Sequence, residues 1–197
     1  MAAPTTMTAE EHKARSSRSY KLILLFAMLS MTMMFAGLTS AFVVSKSRGD
    51  WLQNFQMPSA FYFSTLVIIL CSINFVFVKK AIKKDDRKTT TTLLLTILAL
   101  GLLFVYLQFQ GFAEVKNAGY YFTGPGSNVT TTFLYVVAAT HLVHLLGGII
   151  SLLIIIYNHF KQKYNSGQTL GIELGAMYWH FLDFLWIYLF LFLYFFK

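Results

Sequence analysis

ELGAMYWHFLDFLWIYLFLFLYFF, residues 173–196, decides what kind of chain this is. The stretch is apolar and long enough to cross a bilayer, whose hydrocarbon core of about 30 Å takes about 20 helical residues. Yet Glu173, His180 and Asp183 lie toward one end of it. An aspartate at the centre of a membrane helix costs roughly 2.5–3.5 kcal/mol on insertion scales, so such groups face a bundle interior and find partners there.

The rest of the chain is written in the same way. Of its 197 residues, 56% are hydrophobic and only 12% are charged. The apolar residues come in long blocks, not amphipathic stripes, which excludes a soluble domain and indicates an integral membrane protein. These blocks predict an all-α bundle of five transmembrane helices at 20–44, 59–78, 92–113, 130–157 and 175–196, within a single domain over 20–197. Residues 1–19 are polar, rich in Ala, Thr and Ser, and are expected to form a flexible tail. The first apolar run is itself long enough to span, so it is expected to remain as a helix and not to be removed as a signal.

The formal charge of +8 suits a membrane surface better than nucleic acid, because the bases sit between hydrophobic blocks. Lys13, Arg15, Arg18 and Lys21 precede the first helix, six Lys and Arg between Lys79 and Lys88 follow the second, and Lys161 and Lys163 follow the fourth. The other connections hold only Lys46, Arg48 and Lys116, with Lys197 at the end. The positive-inside rule therefore predicts a cytoplasmic N-terminus and an outer C-terminus. Cys71 is the sole cysteine, so there is no disulfide framework and no cysteine metal site. Asn128-Val129-Thr130 forms a glycosylation sequon in an expected outer loop, and it carries no meaning in a bacterial protein.

Polar and small residues recur at helical spacing, which places them on one face of each helix. The fifth helix has Glu173, Ala176, His180 and Asp183; the fourth has His141, His144, Gly148 and Ser151. The third offers Gly101, Gln108 and Gly111, the second Ser64 and Cys71, and the first Ser30, Gly37 and Ser40. Such stripes allow close approach and interhelical hydrogen bonds where lipid supplies little hydrophobic drive. At 1.5 Å per residue, His141 lies about 17 Å below one surface and Asp183 about 12 Å above the other, nearly the same level. The fourth and fifth helices are thus expected to meet along these stripes, with the histidines hydrogen-bonded to Asp183 and Glu173. A competing use is haem ligation by His180 with His141 or His144, as in a small b-type membrane cytochrome.

The run HLVHLLGGIISLL from His141, followed by ELGAMYWHFLDFLWIYLF from Glu173, resembles subunit III of the haem-copper oxidases. The family pattern is HGLHVxxG, then E-x-A-x-x-YWHFVDxxW. Glu173, Tyr178, Trp179, His180, Phe181, Asp183 and Trp186 match it, as do His141, His144 and Gly147. MPSAFYFSTLVIILCS from Met57 and LLLTILALGLLFVYLQ, ending at Gln108, agree more loosely. Five spans are similar to the short bacterial form, which lacks two helices of the long form and one arm of its lipid cleft. Two family carboxylates are replaced, one by Met31 and the other by Gly111, so no proton-handling role is carried over for either.

The resemblance implies a core subunit of a respiratory terminal oxidase, a cytochrome c oxidase that reduces oxygen to water and translocates protons. It implies that haem and copper belong to partner subunits, and that this chain has no catalytic, cofactor or metal ligands of its own. It implies packing on subunit I, with subunit II nearby, structural phospholipid, support of proton uptake, and residence in a bacterial inner membrane. The same resemblance leaves open a quinol oxidase or nitric oxide reductase complex.

Overall fold

The computed structural model describes residues 8–52, 56–124 and 126–196, with the backbone alone at Ala9. Five helices account for most of them: α1 (Ala9–Val44), α2 (Ser59–Lys83), α3 (Arg87–Asn117), α4 (Val129–Phe160) and α5 (Leu170–Phe196). All five are long and apolar enough to cross a membrane. Among the described residues there is no strand beyond two isolated bridges. The all-helical, five-span expectation therefore holds.

The helices run past their apolar segments, and at the starts of α1, α3 and α4 the caps show why. α1 begins at Ala9, not near residue 20, because Thr8 and Glu11 form a capping box. The Glu11 carboxylate accepts from the Thr8 amide at 2.8 Å, and the Thr8 hydroxyl accepts from the Glu11 amide. Such a box satisfies amides that otherwise have no intrahelical partner. The part of the expected tail that is described is thus helical, and α1 at 36 residues is about 54 Å long, more than a bilayer core requires. Asn128 caps α4 by accepting from the Thr131 amide at 3.0 Å, which gives the sequon asparagine a structural task.

Asp86 does the same for α3, accepting from the Thr89 amide at 3.1 Å. Hydrogen bonding from the Thr89 hydroxyl, and then from its amide, holds the Asp86 carboxyl below the usual carboxylate range. A depressed folded-state value means a contribution present above the unfolded pKa and lost as pH falls through the folded one. Acidification from about pH 6 to about pH 3 is therefore expected to lower the thermal midpoint of the wild type more than that of Asp86→Asn. The amide keeps the cap but cannot titrate. Equal acid sensitivity of the two proteins in a thermal melt would remove the cap as its source.

The chain folds as antiparallel neighbours. α2 and α3 form a hairpin through a tight turn in which Asp85 adopts φ 54°. α5 lies at the centre, packed on α2, α4 and α1, while α3 also meets α4. Of the most apolar stretch of α5, 44% is buried, against 11% for α1, which makes α1 the peripheral helix. One end of the bundle gathers the start of α1, the α2–α3 turn and the α4–α5 loop. Lys13 donates to the Gly167 carbonyl, Arg87 to the Tyr164 carbonyl, and the Ser166 amide to Asp85. These are the segments that carry most of the Lys and Arg.

Candidate functional site

The buried polar groups gather in the middle of the bundle, among aromatic rings. His141 is completely buried, between Phe35 of α1, Phe104 of α3 and Trp186 of α5, with ring centroids 6.5, 5.9 and 5.1 Å away. Among the described residues, neither of its ring nitrogens has a hydrogen-bond partner. Gln108 of α3 donates to the Ser64 hydroxyl of α2 at 3.0 Å. Trp186 donates to Thr65 of α2 at 3.1 Å, so α2, α3, α4 and α5 meet in one layer.

About two turns toward the N-terminal face, α4 and α5 are locked together. The Trp179 indole donates to the Gly148 carbonyl at 3.1 Å, and the Tyr178 hydroxyl to the His144 carbonyl at 2.9 Å. The approach is tight at Gly148. A Cβ at Gly148 would lie 3.1 Å from Leu182 and 3.5 Å from the Trp179 ring. Gly148, at the eighth place of the HGLHVxxG pattern, makes the contact; Gly147 is exposed beside it and has only the Tyr178 hydroxyl near.

The stripes on α4 and α5 do not face each other as expected. His180 turns to α2, where its Nδ1 lies 2.6 Å from the Ser72 hydroxyl. Asp183 also faces α2, at Cys71 and Ser72, and among the described residues neither of its carboxyl oxygens makes a hydrogen bond of good geometry. His144 uses Nδ1 on the Thr140 carbonyl of its own helix at 2.8 Å. Glu173, in the first turn of α5, is held by Lys21 at 2.7 Å and Thr169 at 2.8 Å, near the bundle end. No hydrogen bond joins any of these histidines to Asp183 or Glu173 among the described residues. The reason is rotational: a helix presents a different neighbour every 100°, and sequence spacing fixes the stripe but not the neighbour it meets.

α1 departs further. Ser30, Gly37 and Ser40 are exposed, and the inward face is Phe35, Thr39 and Phe42. Large aromatic side chains fill the notch between α4 and α5, as the Phe42 contacts with Phe133 and Phe192 show.

Glu114 is the polar group that the sequence stripes did not bring out. α2 begins after Pro58, which supplies no side-chain cap. Glu114 reaches over from the end of α3 and accepts from the Ser59 amide at 2.7 Å, the Ser59 hydroxyl at 3.0 Å and the Ala60 amide at 3.3 Å. The available signal was a helix start without a capping side chain, opposite a carboxylate at the end of an antiparallel neighbour. Glu114→Ala is expected to destabilise the bundle by about 1–2 kcal/mol, as loss of a helix cap does. Unfolding in detergent would measure it, with Glu114→Gln recovering most of the loss; an Ala variant as stable as wild type contradicts the cap.

The Gly111 replacement has a steric counterpart. The Phe61 ring of α2 occupies the space that any side chain at Gly111 would enter. Phe61 is fully buried and packs edge-on against Trp186 at 5.7 Å. An aromatic plug thus stands where many family members place a carboxylate.

Chemically this interior holds helices together. Among the described residues no three His, Cys, Asp or Glu side chains are grouped as metal donors. His141 and His144 both pack edge-on against the Phe35 ring of α1, whereas His180 faces Ser72 and Phe75 of α2.

Comparison with known proteins agrees with this architecture. The family model for cytochrome c oxidase subunit III matches residues 3–197. A cytochrome c oxidase subunit 3 of Thermostichus vulcanus is 30% identical over 193 residues, covering 96% of this chain and 93% of that protein. A cytochrome c oxidase subunit 3 of Petromyzon marinus is 28% identical over 73% of this chain and 51% of its own length. A cytochrome bo(3) ubiquinol oxidase subunit 3 of Buchnera aphidicola is 29% identical over 69% of this chain and 65% of its own length.

Proposed function

Because the chain belongs to the cytochrome c oxidase subunit III family, we propose that it is the non-redox third subunit of a respiratory terminal oxidase in a bacterial inner membrane. In this role it packs chiefly on subunit I, lies near subunit II, carries structural phospholipid and sustains proton uptake and the stability of the complex. The haem and copper chemistry that reduces oxygen to water belongs to the partners. The N-terminus faces the cytoplasm, a placement supported by the basic residues gathered at the end of the bundle where α1 starts.

The observation that carries the reading is the interior itself. Gln108, Trp179 and Trp186, which match the family pattern, bond to neighbouring helices, not to one another around a reaction centre. His141 is sealed in an aromatic cage with no access to substrate. Such an interior fixes the relative placement of helices and so shapes a surface for partners.

The electron donor is a second matter. Relatives of both kinds, cytochrome c oxidases and a quinol oxidase, match over most of this chain. The expected donor is cytochrome c, delivered through a copper-bearing domain of subunit II. Affinity purification through a tag on this chain in mild detergent is expected to recover a larger haem-bearing subunit and a second subunit with a dinuclear copper domain. Recovery of a second subunit without that domain would reassign the donor to quinol, and recovery of the chain alone would contradict the assembly.

A further inference from the structure

His159 lies in the last turn of α4, past the apolar run that ends at Tyr157, at the basic end of the bundle. Its side chain is nonetheless buried, with 4% of the residue exposed. The ring joins two helices: its Nε2 lies 2.9 Å from the Thr91 hydroxyl of α3. That hydroxyl donates its single proton to the Arg87 carbonyl at 2.8 Å. It can therefore only accept from the ring, and Nε2 carries the hydrogen. Nδ1 then holds a lone pair that is buried and has no partner among the described residues.

The same residue opens the α4–α5 loop. The His159 carbonyl accepts from the Gln162 amide at 3.0 Å, in a turn where Gln162 takes φ 58°. Further along, the loop is held by the Arg87 guanidinium, which donates to the Tyr164 carbonyl, and by Asp85, which accepts from the Ser166 amide. Ring and loop thus share the start of α3 as their anchor.

Proton uptake at Nδ1 would turn the ring into an imidazolium with two N–H donors. In the closed arrangement the new N–H has no acceptor, and the new charge faces Arg87, the charged group that acts on the ring from α3. Among the described residues no carboxylate pairs with the ring. Asp86 caps its own helix, Asp85 accepts from the loop, and Glu173 is held by Lys21 and Thr169. Burial holds the imidazole below the ordinary histidine pKa; a bond to the Arg87 backbone opposes this, and the Arg87 charge adds to it. A buried cation without a partner is strongly disfavoured, and that penalty ends when the ring swings out to water.

We propose that His159 is an acid-operated latch on the α4–α5 loop. The latch is closed while the neutral ring is bonded to Thr91, and it is released when solvent protonates Nδ1 and the ring leaves its site. The open form binds a proton that the closed form excludes. Closure is therefore fully favoured above the ordinary histidine pKa of about 6.5 and weakens as pH falls below it. With the N-terminus in the cytoplasm, the pH that works the latch is the cytoplasmic one.

Hydrogen exchange of the complex in mild detergent tests the latch, read by mass spectrometry on the peptide covering residues 161–169 and corrected for the intrinsic exchange rate at each pH. Opening of the wild-type loop is expected to rise about fivefold or more between about pH 7.5 and about pH 5.5. His159→Gln can still donate to Thr91 but cannot take up a proton, so its opening is expected to stay constant across that range. His12→Gln, which removes the histidine at the start of α1, is expected to keep the wild-type rise. Thr91→Val removes the acceptor and is expected to open the loop already at about pH 7.5. A wild-type loop indifferent to pH, a rise that persists in His159→Gln, or a rise that vanishes in His12→Gln would each overturn the latch. Should His159→Gln fail to accumulate, a Thr91→Val loop as protected at neutral pH as the wild type overturns it as well.

Discussion

Replacing Trp179 with alanine is expected to lower the stability of the bundle by about 3–5 kcal/mol, the range for a buried tryptophan truncated in a core. Trp179 is fully buried at the junction of four helices. Its ring lies against Gly101 of α3, where an added Cβ would come within 3.0 Å, and against Phe75 of α2 at 5.7 Å. Its indole N–H bonds to Gly148 of α4. Lipid cannot refill so enclosed a cavity, and helix association in membranes depends on close packing to begin with. Trp179→Phe keeps much of the ring and forfeits the hydrogen bond, so its expected cost is smaller, about 1 kcal/mol beyond the lost ring volume. Thermal unfolding of the detergent-solubilised protein gives the comparison. An alanine variant within 1 kcal/mol of wild type would show that this junction does not hold the bundle.

Gly111→Glu is the second large effect, although it restores the residue type common in the family. The added side chain must displace the buried Phe61 ring, which is packed on Trp186 and Phe112. Overpacking of this kind costs about 1–3 kcal/mol. A carboxylate at a buried site without a cationic partner adds several kcal/mol unless it takes up a proton. The expected outcome is a protein that accumulates poorly and unfolds at a lower temperature. Combining the change with Phe61→Ala removes the clash and is expected to recover part of the loss, a coupling typical of residues in contact. Identical stability of the double variant and Gly111→Glu would mean that Phe61 is not the obstacle. The prediction also bears on family logic, because here a plug and a glycine have replaced a carboxylate together.

Length and apolarity made the five spans legible, since a bilayer admits few alternatives for such segments. The helix ends were less legible. Thr8 and Glu11 look like part of a polar tail until their capping box is seen, and the lysines after Val78 continue α2 because lysine is a good helix former. Gln108 with Ser64, and Gly101 with Gly111, were recognisable as inward-facing from their spacing on α2 and α3. On α1 the same logic picked the wrong face. Ser30, Gly37 and Ser40 share a stripe, but so do Phe35, Thr39 and Phe42, and the notch between α4 and α5 takes the aromatic one.

Partner choice across helices was the least legible feature. The depth estimate set His141 and Asp183 near one level, yet helix rotation turns Asp183 toward α2 and encloses His141 in rings. Glu114 was missed for a related reason. Its meaning comes from Pro58, 56 residues away in the chain and adjacent only once α2 and α3 pair.

The central claim is that this chain supports an oxidase without holding its redox centres. It is tested most directly by reduced-minus-oxidised spectra of the tagged complex, taken before and after the partners are stripped away in harsher detergent. The expected result is haem absorbance in the intact complex, all of which leaves with the partner subunits, while the isolated five-helix chain shows none. A haem band that stays with the isolated chain and disappears in His180→Ala would contradict the account and make the protein a cytochrome in its own right.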